Sequence, residues 1–344
     1  MGDIVTAGHI CVDLAPRLVA AATVEPGDLL EIGPLTMTLG GSVANTGGDL
    51  ADLGLPVRLV AAISDDELGA FVRREFVRRG LDPRWLQLSA SAGTSYSVIL
   101  QMEQHDRTIW HHSGANAYFD AAAIDLSGAD IVHFGYPPLM RGMLQDAGEP
   151  LRRFFRDARA AGATTSLDMA VVDPRSEVAQ VDWPGLLANV LPEVDVFTPS
   201  IDDISSALGH EGSVSDETVD LWGTRFLDAG VAVSVLSGGE RGLFVRTAGG
   251  ARFSRGGAAL APLSEAWHDR SHRQPPLPLD SVVTTNGAGD AATAGLLSGL
   301  WGGLPLEQAV RSAAAGSAMK ISGRRLDGSA IGRLVAGAAV STLA

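Results

Sequence analysis

The segment TTNGAGDAATAGLLSGL, from Thr284 to Leu300, sets two glycines and an aspartate where a loop turns into an apolar helix. Two chemistries fit this pattern. A carboxylate in a first helical turn is favoured by the positive end of the helix dipole and glycines shape ordinary turns, so Asp290 can be a plain helix-start residue. Alternatively, Gly287, Ala288 and Gly289 present bare backbone N–H groups to an anion while Asp290 moves a proton beside it. A second glycine cluster, LGGSVANTGGDLADLG, ends a strand-like run at Gly40 and Gly41 and opens a helix near Asn45. It contains no G-x-G-x-x-G, so a dinucleotide fingerprint is absent.

Charge and composition narrow the ligands. With 26 basic against 40 acidic residues the chain carries a net charge of −14, which offers nucleic acid or an anionic membrane no basic surface to meet. Small molecules are the expected partners. Cys11 is the only cysteine; it excludes an intrachain disulfide or a cysteine-cluster metal site and reads as a buried thiol. Lys320 is the only lysine, so a Walker A loop with its Gly-Lys-Ser/Thr is impossible. Set in the apolar helical stretch SAMKISG, Lys320 itself reads as a surface or helix-end residue. The opening MGDIVTAGHICVDLAP lacks a basic run followed by an apolar core, and no uninterrupted apolar run reaches the ~18 residues of a span. A cytoplasmic protein is expected.

These residues need a frame. β-rich runs (DIVTAGH, VRLVAAIS, DIVHFGY, TTSLDMAV, VDVFTPS, AVSVLSGG) alternate with amphipathic stretches such as 66–79, 140–161 and 217–229, the pattern of a mainly parallel sheet with helices on both faces. Residues 14–40 and 93–113 break the rhythm with polar-apolar alternation and predict a small β-sheet lid. The main α/β domain then comprises 1–13, 41–92 and 114–344. The proline-rich segment 262–280 reads as a long loop leading into a strand at Thr284.

Asp13 after the first strand, SDDELG at 64–69 and SGGERG at 237–242 complete an ordered set with the two glycine clusters. In this order the chain resembles the ribokinase-like, PfkB-type carbohydrate kinases over nearly its whole length. GGSVANTGGDLADLG is similar to the first signature of that family and TTNGAGD to the second, D-T-x-G-A-G-D. The resemblance implies a doubly wound α/β fold with a β lid and an ATP-dependent transfer of phosphate to a hydroxyl, a primary alcohol of a small sugar or sugar acid. It implies Asp290 as general base, the amides of Gly287, Ala288 and Gly289 as anion hole, and Asp13, Gly40, Gly41 and Asn45 at the acceptor. Ser237, Gly239 and Gly242 would lie at the ATP. TPSIDD at 198–203 falls where many members carry N-x-x-E, which implies Asp203 beside magnesium-bound water. Thr284 replaces the first Asp of the second signature, a residue of the monovalent-cation site in many members, and argues against potassium activation.

Phosphoryl transfer asks for in-line positioning, neutralised charge and a base, all of which this set can supply without a Walker lysine. A nucleoside kinase of the same family is the nearest alternative, with Tyr96, Trp110 and Phe119 available to stack on a base. A sugar-binding or sensing protein with impaired catalysis is the other. Tyr136 and Asp168 end predicted strands on the ligand-bearing edge, whereas His111 and His112 read as a solvated strand end and Arg107 as a turn residue. The apolar lid strands suit a homodimer through the lid.

Overall fold

The computed structural model describes residues 2–18, 26–100, 108–279 and 281–341; Arg107 lies outside them. Its strands are β1 (Asp3–Gly8), β2 (Cys11–Pro16), β3 (Leu35–Gly40), β4 (Val57–Ile63), β5 (Leu86–Leu88), β6 (Tyr96–Leu100), β7 (Thr108–His112), β8 (Ala129–Gly135), β9 (Thr164–Asp168), β10 (Val196–Phe197), β11 (Val233–Ser237), β12 (Leu243–Thr247) and β13 (Ser271–Gln274). The helices are α1 (Gly48–Asp52), α2 (Glu67–Arg78), α3 (Gln145–Ala160), α4 (Trp183–Val190), α5 (Ile201–Ala207), α6 (Asp216–Asp228), α7 (Gly250–Phe253), α8 (Gly257–Leu260), α9 (Ala288–Trp301), α10 (Leu306–Ile321) and α11 (Gly328–Ser341).

The large sheet runs β13-β12-β11-β10-β9-β8-β1-β4-β5, parallel from β11 to β5 and antiparallel at β12 and β13. Its central strands are buried on both faces, as parallel strands under crossover helices must be. Neighbouring residues of one strand therefore enter different cores. Val5, Val132 and Phe134 pack with Phe154, Phe155 and Trp183 on one side, while Ile4 and Ile131 pack with Leu297, Val310 and Ala313 on the other. The expected α/β architecture is thus present.

A separate four-stranded sheet has the order β3-β2-β6-β7, in which β2 and β6 are parallel and both edges antiparallel. Asp13 comes after the first strand, inside β2, opposite Thr38 on β3 and Ser97 on β6.

Two expectations for the C-terminal half fail. Segment 262–280 is not one loop: it holds a short turn at Glu265–Trp267 and the edge strand β13. Trp267 is fully buried and its Nε1 donates to the Leu304 carbonyl, so its apolar ring anchors the segment in the core. The stretch before the helix start is no strand either. The N–H groups of Val283 and Thr284 both donate to the Ile321 carbonyl at the end of α10, at 2.8 Å and 3.2 Å, which ties this loop to a helix end instead of to the sheet.

Candidate active site

Asp290 stands in the first turn of α9, whose N-cap Gly287 adopts φ +74°. That left-handed conformation suits glycine alone at little cost, and it turns the chain sharply into the helix. The first amides of a helix have no intrahelical acceptor; Ala288 N–H leans on the Thr285 carbonyl at 3.3 Å, while a side chain added at Gly289 would meet nothing within 4 Å. At Gly289 the turn therefore presents backbone to open space.

The Asp290 carboxylate is 2% exposed and is held by three donors. Thr46 Oγ1 donates to Oδ1 at 2.9 Å; Asn45 Nδ2 and the Tyr136 hydroxyl donate to Oδ2 at 3.1 Å and 2.6 Å. A carboxylate has about four lone-pair sites, so roughly one is left for a reacting hydroxyl. Burial raises its pKa; the Tyr136 and Thr46 hydrogen bonds, the Lys320 charge and the Asn45 hydrogen bond pull in the opposite direction without cancelling it. Such a carboxylate is a stronger base than a solvated one.

Its donors come from two special stretches. Asn45 and Thr46 lie in a wide π-type turn, Val43–Gly47, whose extra residue re-aims adjacent side chains and which recurs at functional sites. Tyr136, just after β8, has φ +67° and ψ +48°, a conformation costing a bulky residue of order 1–3 kcal/mol and seen where surroundings impose it. In the sequence Tyr136 is marked only as the end of a strand on the ligand-bearing edge, before Pro137 and Pro138.

Facing this turn is the inner side of the small sheet. The Cys11 thiol donates to Asp13 Oδ1 at 3.2 Å and lies 3.6 Å from Ser97 Oγ, which is 3.1 Å from His111 Nδ1. His111 Nε2 is 3.3 Å from Nε2 of His9, and the His9 ring stacks on Tyr136 with centroids 6.0 Å apart. The polar array thus runs from Asp13 to the phenol that holds Asp290. Burial, and then the charges of Asp13 and Asp290, push the Cys11 thiol up, and burial lowers His111 to about 4 and His9 well below the usual imidazole range. Both rings are neutral at pH 7. His111 is accordingly a member of the site and not a solvated strand end; His112 beside it is exposed. His9, which no motif marked, sits after β1 with its Nδ1 buried and unpaired among the described residues.

The paired glycines make room for these side chains. A β-carbon at Gly40 would stand 2.4 Å and 2.5 Å from the Asp13 carboxylate oxygens, and one at Gly41, where φ is +86°, 2.6 Å from His9 Nδ1.

On the other flank, Ser237 at the end of β11 shares a shallow pocket with Thr198, Leu243, Gly289, Ala292 and Leu296. Gly239 and Gly242 have φ of +57° and +79° and shape the turn into β12; a β-carbon at Gly242 would strike the Gln274 carbonyl at 2.2 Å. Asp203 and Ser200 form a reciprocal cap at the start of α5: Asp203 N–H donates to Ser200 Oγ at 3.0 Å and Ser200 N–H to Asp203 Oδ2 at 2.8 Å. Burial, with the charges of Asp202 and Asp290, raises Asp203 to about 6 against those hydrogen bonds. Burial and the charges of Asp203 and Asp290 likewise raise Asp168, at the end of β9, well above the carboxylate range. Among the described residues no group of three or more His, Cys, Asp or Glu side chains is close enough to chelate a metal directly.

The aromatic residues suited to stacking on a base are not assembled. Phe119 packs edge-on against Phe134 in the core, Trp110 is 60% exposed, and Tyr96 lies against His112. Lys320 corrects the sequence reading more sharply. It is the helix-end residue of that reading, in the last turn of α10, but not a surface one: its side chain is mostly covered and reaches the turn at Gly287.

Comparison with known proteins gives the family. Residues 1–329 match the model of the pfkB family carbohydrate kinases. The chain is 24% identical over 326 residues to an ATP-dependent 6-phosphofructokinase of Thermoanaerobacterium thermosaccharolyticum, covering 93% of this chain and 88% of that one. It is 22% identical over 304 residues to a 2-dehydro-3-deoxygluconokinase of Bacillus subtilis, covering 86% and 85%. Among solved structures, Arabidopsis thaliana ribokinase complexed with ribose and ATP superposes with a TM-score of 0.75 at 17% identity, over 97% of this chain and 98% of that one. A buried carboxylate at a glycine-lined helix start, a small four-stranded sheet beside it and a family match over nearly the full length converge: the chain belongs to the pfkB family of carbohydrate kinases, ATP-binding phosphotransferases with an alcohol group as acceptor.

Proposed function

We propose that this kinase transfers the γ-phosphate of ATP to a hydroxyl, a primary alcohol, of a small sugar or sugar acid, with Asp290 as the general base. The observation that carries this reading is the position of Asp290. It is buried and proton-hungry, with the helix-start amides of Gly287, Ala288 and Gly289 on one side and the Asp13–His111–His9 array on the other. In the reaction Asp290 takes the acceptor's hydroxyl proton while the freed oxygen bonds to the γ-phosphorus. The bond from that phosphorus to the bridging oxygen breaks and its electron pair leaves with ADP. The 287–289 amides hold the negative oxygens in flight.

Asp13 and His9 are placed to read acceptor hydroxyls, and Gly40 and Gly41 keep them unobstructed. Asn45 spends one N–H on Asp290 and keeps its second N–H and its carbonyl for the acceptor. Ser237, Gly239 and Gly242 would flank the nucleotide. Burial and neighbouring carboxylates make ionisation costly for both Asp168 and Asp203, the charge of Asp203 acting on Asp168 and that of Asp290 on both, a condition relieved by a nearby cation, so they fit a magnesium ion held largely by phosphates and water. When bound, that ion would neutralise phosphate charge. The exposed lid residues Leu35, Met37, Ile109 and Trp110 suit a dimer through this sheet. The scattered aromatics favour a sugar over a nucleoside. An ATP-consumption screen over sugars, sugar acids and nucleosides, with phosphorus NMR to locate the new ester, tests the proposal; turnover confined to nucleosides, or with none of the three classes, would overturn it.

A further inference from the structure

Lys320 is the only lysine of the chain, and the fold delivers it to the loop that precedes Asp290. It stands in the last turn of α10, and its Cε lies 3.0 Å from where a β-carbon at residue 287 would be. The ammonium is 3.4 Å and 3.5 Å from the two oxygens of Asp49, which α1 buries. These distances exceed the ~2.7–2.9 Å of a tight charge-assisted hydrogen bond, and an ammonium has three protons. Lys320 therefore keeps donor capacity beyond Asp49. Packing does not call for such a pair, because burying two charges costs more than filling the same space with apolar side chains.

The backbone around it is also committed in a telling way. The Ile321 carbonyl, next to Lys320, accepts the N–H groups of Val283 and Thr284, and Thr284 Oγ1 accepts Asn286 N–H at 3.1 Å. The Ile321 carbonyl is thus filled by two loop N–H groups, the Thr284 hydroxyl already accepts one, and residue 284 brings no charge.

We propose that Lys320 is a built-in cation of the anion-binding turn: its ammonium, steered by Asp49, supplies positive charge to the phosphoryl group at residues 287–289 and replaces an external monovalent cation. The inference rests on the reading of that turn given under Proposed function. Lys320 acts as a positioning residue through its field. Among the described residues the other ionisable groups that interact with Asp290 are Cys11, Asp49, Asp168, Asp203 and Tyr136, so Lys320 is the cation among them.

The test is calorimetric binding of the β,γ-imido analogue of ATP and of ADP, with magnesium, in potassium or tetramethylammonium chloride of equal ionic strength. The wild type should prefer the triphosphate analogue equally in both salts. Lys320→Met should lose about ten-fold or more of that preference. Since this variant strands a buried Asp49, Lys320→Met/Asp49→Asn provides a second folded form in which the same loss is expected. In Lys320→Ala, methylammonium should restore part of the preference, which a merely structural lysine would not allow. A preference within two-fold of wild type in both charge-removing forms, saturable potassium-selective tightening of the wild type, or no response to methylammonium would each overturn the inference. Asp290→Asn separates the two levels: if it remains active with the acceptor found by the screen, the kinase reading fails; if it is inactive while Lys320→Met is unimpaired, only the role of Lys320 fails.

Discussion

The N-terminal turn of α9 and the inner face of the small sheet meet at Asp290, yet they are made of different material. The first is backbone: Gly287, Ala288 and Gly289 in one contiguous run, with a left-handed N-cap against Lys320 and open space at Gly289. The second is side chains drawn from three strands and the turn after β1, namely Asp13 and Cys11, Ser97, His111 and His9, all buried except the half-buried His111. Backbone amides suit a ligand common to all such kinases, a phosphate, and leave little to vary. Side chains on a separate sheet suit the part of the substrate that differs from one enzyme to the next, since each can change without disturbing the helix start.

The largest effect expected from this contrast is at the point where the two halves join. Asp290→Asn removes the base but no phosphate-binding amide, so kcat should fall by about 10²–10⁴ while nucleotide affinity measured by calorimetry is nearly unchanged. A variant retaining more than about a tenth of the wild-type kcat would mean that proton removal lies elsewhere.

Next in size are changes confined to the small sheet. Asp13→Ala leaves an acceptor hydroxyl unpaired at a loss of ~1–3 kcal/mol, so the KM for the acceptor should rise about ten-fold to a hundred-fold with the KM for ATP unaltered. Gly40→Ala should act in the same direction, because its β-carbon would collide with the Asp13 carboxylate. If both KM values moved together, alongside a lower melting temperature, Asp13 would be supporting the sheet and not reading the substrate. Asn45→Ala should behave differently from Asp13→Ala, lowering kcat as well as acceptor affinity, because Asn45 touches both halves of the site.

The smallest and most diagnostic effect concerns pH. As a base Asp290 must be ionised, and its raised pKa puts the acid limb of kcat/KM above the ordinary carboxylate range, with activity lost as pH falls through it. The Tyr136 hydrogen bond favours the ionised form. Tyr136→Phe should therefore move that limb to higher pH and cost several-fold in kcat at neutral pH, less at pH 9. Asp13→Ala should leave the limb in place. An unmoved limb in Tyr136→Phe would assign the acid-side titration to another group.

Much of the frame was legible because it depends on local periodicity. The apolar runs of β1, β4, β8, β9 and β11 and the amphipathic repeats of α2, α3 and α6 stand out without knowledge of their neighbours. Segment 262–280 misled because prolines and charges mask a short edge strand whose pairing with β12 is set by tertiary contact. Lys320 misled for the same reason: a lone charge in an apolar helix pattern normally faces water, and only the packing of α10 beside the Gly287 turn reveals a buried partner.

The sequence by itself determined the alternation of strands and helices, the helix start at Asp290 and the glycines that bare its amides, since each of these follows from residue types within one short stretch. Only the tertiary structure decided that Tyr136, Asn45 and Thr46 hold that carboxylate and that His9 joins His111 and Asp13 across the pocket. These contacts link residues scattered along the chain. A hydrogen bond between such partners exists only where the sheet order and the twist of two packed layers bring them within about 3 Å, and no local pattern of residues encodes that distance.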